Sequence, residues 1–217
     1  NNIIAIGTTA GFAIGAGSTA ADGTVAIGHT ALAALTTGTG NTAIGYASMS
    51  SGGTINTSTA LGYATLQNAV DGMTGNTAIG YGVLDSANNS NADDNTGVGK
   101  DALGILSSGA QNVAVGKDSG NVIQTGNNNV CVGKGANPSA SGGANQIVLG
   151  KDATGVADNS VTLGNADVTA VYMASDSGAT IHCAGVNFPD TQSASADANT
   201  LDDYEEGYHT ATIAPAG

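Results

Sequence analysis

The chain has 217 residues, a formal net charge of −13 and four basic residues, all of them lysine. Its 34 glycines and 4% aromatics cannot fill a globular core several side chains thick, yet 41% hydrophobic and 10% charged residues is not the composition of a disordered tail. The acidity repels phosphate backbones and anionic lipid, and no apolar run approaches the ~20 residues of a membrane span, so no nucleic acid and no membrane insertion are expected.

From its first residues the chain reads as a repeat. "IIAIG" ends on Gly7, and an apolar dipeptide closed by glycine returns at Gly15, Gly28, Gly45, Gly62, Gly80, Gly99, Gly116, Gly133, Gly150 and Gly164. The spacings are 8, 13, 17, 17, 18, 19, 17, 17, 17 and 14. A fixed period marks a repeat architecture, and a sequence that starts inside the repeat is expected to begin within a longer chain.

Each unit opens on a short alternating stretch such as Thr42-Ala43-Ile44-Gly45, a strand signal bounded by glycine and asparagine. A second small or apolar patch follows, "ALAAL" at Ala31 to Leu35 or "ALGIL" at Ala102 to Leu106, and then a Gly/Asn/Thr turn. A unit this short cannot bury its own face, so coils must stack, ~4.8 Å apart, and every aligned position becomes a column. The sequence therefore predicts an all-β parallel solenoid of ~17-residue coils over 1–165. A short β transition segment over 166–190 should follow, then a linker over 191–217 leading to a C-terminal domain not present here.

Four residues before the glycine stand Asn41, Ser58, Asn76, Asn95, Asn112, Asn129, Gln146 and Ser160, which predict an amide ladder along the stack. Asn41, Ala43 and Gly45 share one strand face, implying a narrow lumen lined by small residues. The other face carries an Ile/Val row with no partner in its own coil. That row, including Ile44, Ile79, Val98, Val115 and Val132, is expected to be the seam of a symmetric homo-oligomer.

The position after the glycine holds Tyr46, Tyr63 and Tyr81, then Lys100, Lys117, Lys134 and Lys151. The tyrosines suit stacking on one another with Lys100 capping the column by a cation–π contact, or a platform for sugar rings. "GVGK" and "AVGK" evoke a phosphate-binding loop, but Asp or Gly follows each lysine and no glycine lies five residues before Gly99, Gly116, Gly133 or Gly150. Asp101, Asp118 and Asp152 beside the lysines make a mixed-sign surface ribbon the expected arrangement, with weak, salt-sensitive attraction to anionic polysaccharide as the minority reading. Tyr46, Tyr63, Tyr81 and the four lysines are thus the candidate glycan or surface contacts.

Cys131 occupies an alanine slot, and with Cys183 it makes neither a disulfide framework nor a zinc site. Toward the C-terminus, His182 would meet its copies on a symmetry axis and is the candidate ion ligand; packing or capping is the commoner fate of a lone histidine, and no resident metal is expected. Asp202, Asp203, Glu205 and Glu206 read as a solvated linker without the spacing of a calcium loop. Hydrolysis needs two carboxylates facing each other across a groove, and the acids here scatter through turns with nothing to pick out such a pair, so neither a polysaccharide-cleaving enzyme nor a cofactor is expected. Single Thr42, Thr77 and Thr96 fall short of the paired threonines of an ice-binding face.

The "NTAIGY" units at Asn41 and Asn76, with "SVTLGN" at Ser160, resemble the head repeat of trimeric autotransporter adhesins, and longer-period versions of it in phage tail-fibre proteins. The segment Asp167 to Ile213, with "LDDYEEG", is similar to one that follows such repeats in tailed-phage proteins. This likeness implies a left-handed β-roll, a homotrimer, and a structural and adhesive segment of a phage tail fibre that presents a receptor-binding end. It implies an extracellular place on the virion, with other tail or fibre proteins and a host-surface polysaccharide or outer-membrane receptor as partners. The alternative it leaves open is the head domain of a bacterial trimeric autotransporter adhesin on the cell surface.

Overall fold

The computed structural model describes residues 2–14 and 21–172. Ten short strands lie in it: β1 (Ile4–Ile6), β2 (Val25–Ile27), β3 (Thr42–Ile44), β4 (Thr59–Tyr63), β5 (Thr77–Tyr81), β6 (Thr96–Val98), β7 (Val113–Val115), β8 (Val130–Val132), β9 (Gln146–Leu149) and β10 (Ser160–Leu163). They form one parallel sheet whose spatial order is their sequence order, β1 through β10. Each strand pairs with the next in the chain, so every connection circles back to start one rung further on. That is a parallel β-solenoid, and no α-helix occurs among the described residues.

The glycine register fixes the stack. Ala43 pairs with Ala60, and Gly62 and Tyr63 pair with Gly80 and Tyr81. Gly45, Gly62 and Gly80 have φ of 137°, 136° and 141°, a conformation that L side chains rarely adopt. Space excludes a side chain as well: a Cβ on Gly45 would lie 2.1 Å from the Gly62 carbonyl oxygen, and one on Gly62 would lie 1.7 Å from that of Gly80. The expected column is real, and the coil above enforces it. Gly15 lies outside the described residues.

Inside the strands runs a buried column of Ala26, Ala43, Ala60, Ala78, Ala114, Cys131 and Val148. The expected lining of small residues holds for this side. The rest of the interior is filled from the second apolar patch by Leu32, Met49, Leu66, Leu84 and Leu103, all buried. These five also have positive φ, between 48° and 53°. The left-handed conformation costs a non-glycine residue about 1–2 kcal/mol, and burying its side chain returns about 1.5–3 kcal/mol. Their amides stay paired as well: Met49 N donates to Thr65 O (2.9 Å) and Leu66 N to Val83 O (2.9 Å).

Volumes compensate from one position to another. Val83 is larger than the equivalent Ala102 of the next coil, and Gly97 replaces the strand alanine beside it; a Cβ there would lie 2.5 Å from Val83 Cγ1. Gly52 in turn makes room for Ile55, whose Cδ1 would sit 2.5 Å from a Cβ on that glycine. Such pairing keeps a thin core close-packed without identical coils.

The amide ladder also forms. Asn112 Nδ2 donates to Asn95 Oδ1 (3.1 Å) and to Gly126 O (2.9 Å), while Asn112 N donates to Asn95 Oδ1 (3.0 Å). Asn129 repeats the pattern one coil on, at 3.0, 2.7 and 3.0 Å. Each side chain satisfies its own coil's turn and the next coil's strand, so these buried polar groups are partnered. Gln146, longer by a methylene, turns aside to Ser139 and Asp158. The solenoid lies within one compact unit, Asn1–Val171. After β10 the chain makes a turn, Val168 N donating to Asn165 O (3.1 Å).

Candidate functional site

The outer strand face presents two columns that nothing else among the described residues covers. One runs Ile6, Ile27, Ile44, Leu61, Ile79, Val98, Val115, Val132, Leu149, Leu163, each paired to the next in register. Ile44, Ile79, Val98, Val115 and Val132 all lie on it, and the unbroken stripe is longer than those five residues suggest. Leu61 is 43% exposed and Val132 39%, large values for aliphatic side chains in mid-sheet. Beside it runs a column of Val25, Thr42, Thr59, Thr77, Thr96, Val113 and Val130, each half-buried. Neither column contains a charge. A contiguous apolar stripe of this extent is the mark of an interaction surface.

Past the glycine corner stands the aromatic and lysine column. The rings of His29 and Tyr46, Tyr46 and Tyr63, and Tyr63 and Tyr81 stack at centroid distances of 5.2, 4.9 and 5.2 Å with interplanar angles of 7°, 9° and 6°. Lys100 Nζ lies 5.4 Å from the Tyr81 centroid and closes the stack. The rungs set this geometry, since ring separation follows strand separation. It also bears on sugar binding. A pyranose stacks on an open ring face, and here the faces within the ladder are covered by one another, leaving ring edges and hydroxyls outward.

The lysines continue the column in pairs with acids. Lys100 pairs with Asp101, Lys117 with Asp118 at 2.9 Å, and Lys134 and Lys151 share Asp152 at 3.7 and 3.2 Å. Lys134 reaches into the next coil because Gly135 occupies its own acid position. Asp101, Asp118 and Asp152 have φ of 55°, 56° and 52°. Aspartate tolerates this left-handed conformation, so the recurring "KD" serves backbone geometry as well as charge. The hydrogen bond from Lys151 holds the Asp152 carboxyl below its ordinary range, with Lys134 adding to it. Asp101, through a side-chain hydrogen bond, likewise holds the Lys100 ammonium above its ordinary value. All four lysines are well exposed, so these pairs are screened by solvent and contribute little to stability.

Burial pushes the Cys131 thiol up to about 11, which keeps it protonated and unreactive at neutral pH. It is a free, buried thiol packed as an alanine equivalent. His182, Cys183 and the acidic run Asp202, Asp203, Glu205 and Glu206 lie outside the described residues, as do the linker 191–217 and most of the segment 166–190. No protein-family model, curated protein or solved structure matches the chain.

Proposed function

We propose that the chain is a spacing and presenting segment of a homotrimeric fibre, and that the fibre is the host-attachment tail fibre of a tailed phage. The observation that carries the assembly is the charge-free aliphatic stripe from Ile6 to Leu163. Whatever covers it must repeat at the same step, about 4.8 Å, over roughly 43 Å. A second copy of this chain, parallel and in register, meets that condition by construction. Copies around one axis bring the stripes together and leave the lysine column, the acids and the return segments facing water, where desolvation costs them least.

The resemblance of the "NTAIGY" units supports three copies rather than two, and that of the Asp167 to Ile213 segment supports a phage particle rather than a bacterial surface. Sedimentation equilibrium tests the assembly: the purified chain should run at three times 20.8 kDa. A well-folded monomer at micromolar concentration overturns it. Antibodies against the chain should decorate tail fibres in electron micrographs of virions and block adsorption. Decoration of a bacterial surface would favour the adhesin alternative.

A further inference from the structure

Two adjoining coils are longer than the 17-residue unit around them: Ser58 to Gly75 has 18 residues and Asn76 to Asp94 has 19. The strands do not register the change, since β4 and β5 pair over five residues, from Thr59↔Thr77 to Tyr63↔Tyr81. The additional chain appears on the return face, where an open groove of about 580 Å³ lies between the Ser51 and Ser90 turns. Asn68, Asp71, Asn88, Asn89 and Ser90 wall it, and half-buried Val70 gives it an apolar patch. In the 19-residue coil Asn88, Asn89 and Ser90 are exposed, so its lengthening adds ordered backbone without adding apolar burial. Stacking alone gives no reason for it.

The polar groups here are held in place by backbone. Asp71 Oδ1 accepts from Gly53 N (2.7 Å) and Thr54 N (2.9 Å), which orients the carboxylate and leaves Oδ2 uncommitted. Asn68 Nδ2 donates to Asp85 O (2.7 Å), which fixes the amide and leaves its oxygen uncommitted. Asn89 Oδ1 accepts from Asn91 N (3.0 Å), leaving its amide nitrogen as a donor. Oriented amides and a carboxylate around an open groove suit adjacent hydroxyls, which donate and accept at once. The groove wall holds no base and one acid, on a chain of net charge −13, which disfavours anionic ligands.

We propose that this groove binds a neutral, hydroxyl-rich saccharide, with Asn68, Asp71 and Asn89 contacting hydroxyls and Val70 meeting the C–H face of a pyranose. The site is complete within one chain, and it deepens the fibre reading by supplying a contact for host-surface polysaccharide on each protomer. The test is a printed array carrying neutral hexose, deoxyhexose and N-acetylhexosamine oligosaccharides beside sialylated, uronate and phosphorylated ones. Neutral glycans should bind, and the acidic ones should not.

Two variants localise the binding: Asn68→Ala/Asn88→Ala/Asn89→Ala, and a deletion of Asn89 and Ser90 that restores a 17-residue coil. Each should lower affinity by about tenfold or more, through lost hydrogen bonds, without changing the melting temperature. The Lys100→Gln/Lys117→Gln/Lys134→Gln/Lys151→Gln variant should bind as the unaltered chain does. Binding to no neutral glycan, to acidic glycans alone, or equally by both groove variants overturns the proposal. Sedimentation of the same samples separates the two readings: a monomer that binds neutral glycan keeps the groove and removes the fibre, and a trimer that binds none does the reverse.

Discussion

On the strand face of the solenoid each position from Asn41 to Tyr46 has a counterpart one coil on, in register, while on the return face one coil has 18 residues and the next 19. Both faces are built from one repeat, but different things confine them. A strand residue is bonded above and below, has a buried column on one face of its strand, and leads into a glycine whose place against the next coil's carbonyl leaves no room for a Cβ. A return residue such as Asn89 is exposed and answers mainly to its own turn. Tolerance to change should therefore divide by face and hardly at all by distance along the chain.

Glycine substitution breaks that comparison most severely. Gly62→Ala places a methyl 1.7 Å from the Gly80 oxygen at a φ of 136°, and a cost above ~4 kcal/mol is expected, seen as loss of soluble folded protein or of cooperative unfolding in denaturant titration. Next comes Ile79→Asp, which sets a carboxylate into the aliphatic stripe. It should leave the circular dichroism of the coils and remove the proposed trimer in sedimentation; a persisting trimer would move the proposed seam elsewhere. Asn112→Ala then tests the buried ladder, because it removes two donor bonds and strands the Asn129 amides that Asn112 Oδ1 accepts. About 2–4 kcal/mol should be lost in denaturant titration, from unpaired buried groups as much as from the bonds themselves.

Neutralising the lysine column with four glutamines should act more weakly, leaving the proposed trimer intact and shifting melting by a few degrees at most, roughly the scale of exposed pairs. Its sign is testable through pH. Asp152 has a depressed pKa in the folded chain, so its contribution is present above the unfolded value and is lost as pH falls through the folded one. The glutamine variant should therefore lose less stability on acidification than the unaltered chain. Smallest of all is Gly142→Ala on the return face, where the nearest atom to a new Cβ is Thr125 Oγ1 at 3.4 Å. Stability should stay within ~0.5 kcal/mol, or rise slightly through a stiffer unfolded chain.

Much of this division was legible in the sequence, because a ladder writes each column as a period. Gly45, Gly62 and Gly80, the Asn41 to Asn129 column, the alanine slot of Cys131 and the Tyr-to-Lys column were all recovered by aligning the chain on its glycines. The aliphatic stripe was visible too, although Leu61 and Leu163 stood outside the residues first singled out. The second interior column was not. Leu32, Met49, Leu66, Leu84 and Leu103 lie in patches that read as generic, and leucine in a left-handed conformation runs against its local preference, so tertiary packing alone places it there. Nor was the groove, since glycine spacings of 18 and 19 announce additional residues without saying on which side of the coil they emerge. The compensation of Val83 by Gly97 was hidden for a related reason: the two belong to successive coils and meet only when one coil closes onto the next.

The in-register pairing of every coil with the next makes length a discrete and heritable quantity. A copy of the 17 codons from Asn112 to Asn128, inserted behind the original, would continue each column of glycine, asparagine, valine and lysine without a mismatch, and would lengthen the stack by one step of about 4.8 Å. Recombination between near-identical units such as "VGKD" at Val98 and at Val115 supplies such copies and also removes them. A lineage can thus tune the reach of the protein in small, nearly neutral increments, with the groove carried along at a fixed distance from one end and a variable distance from the other.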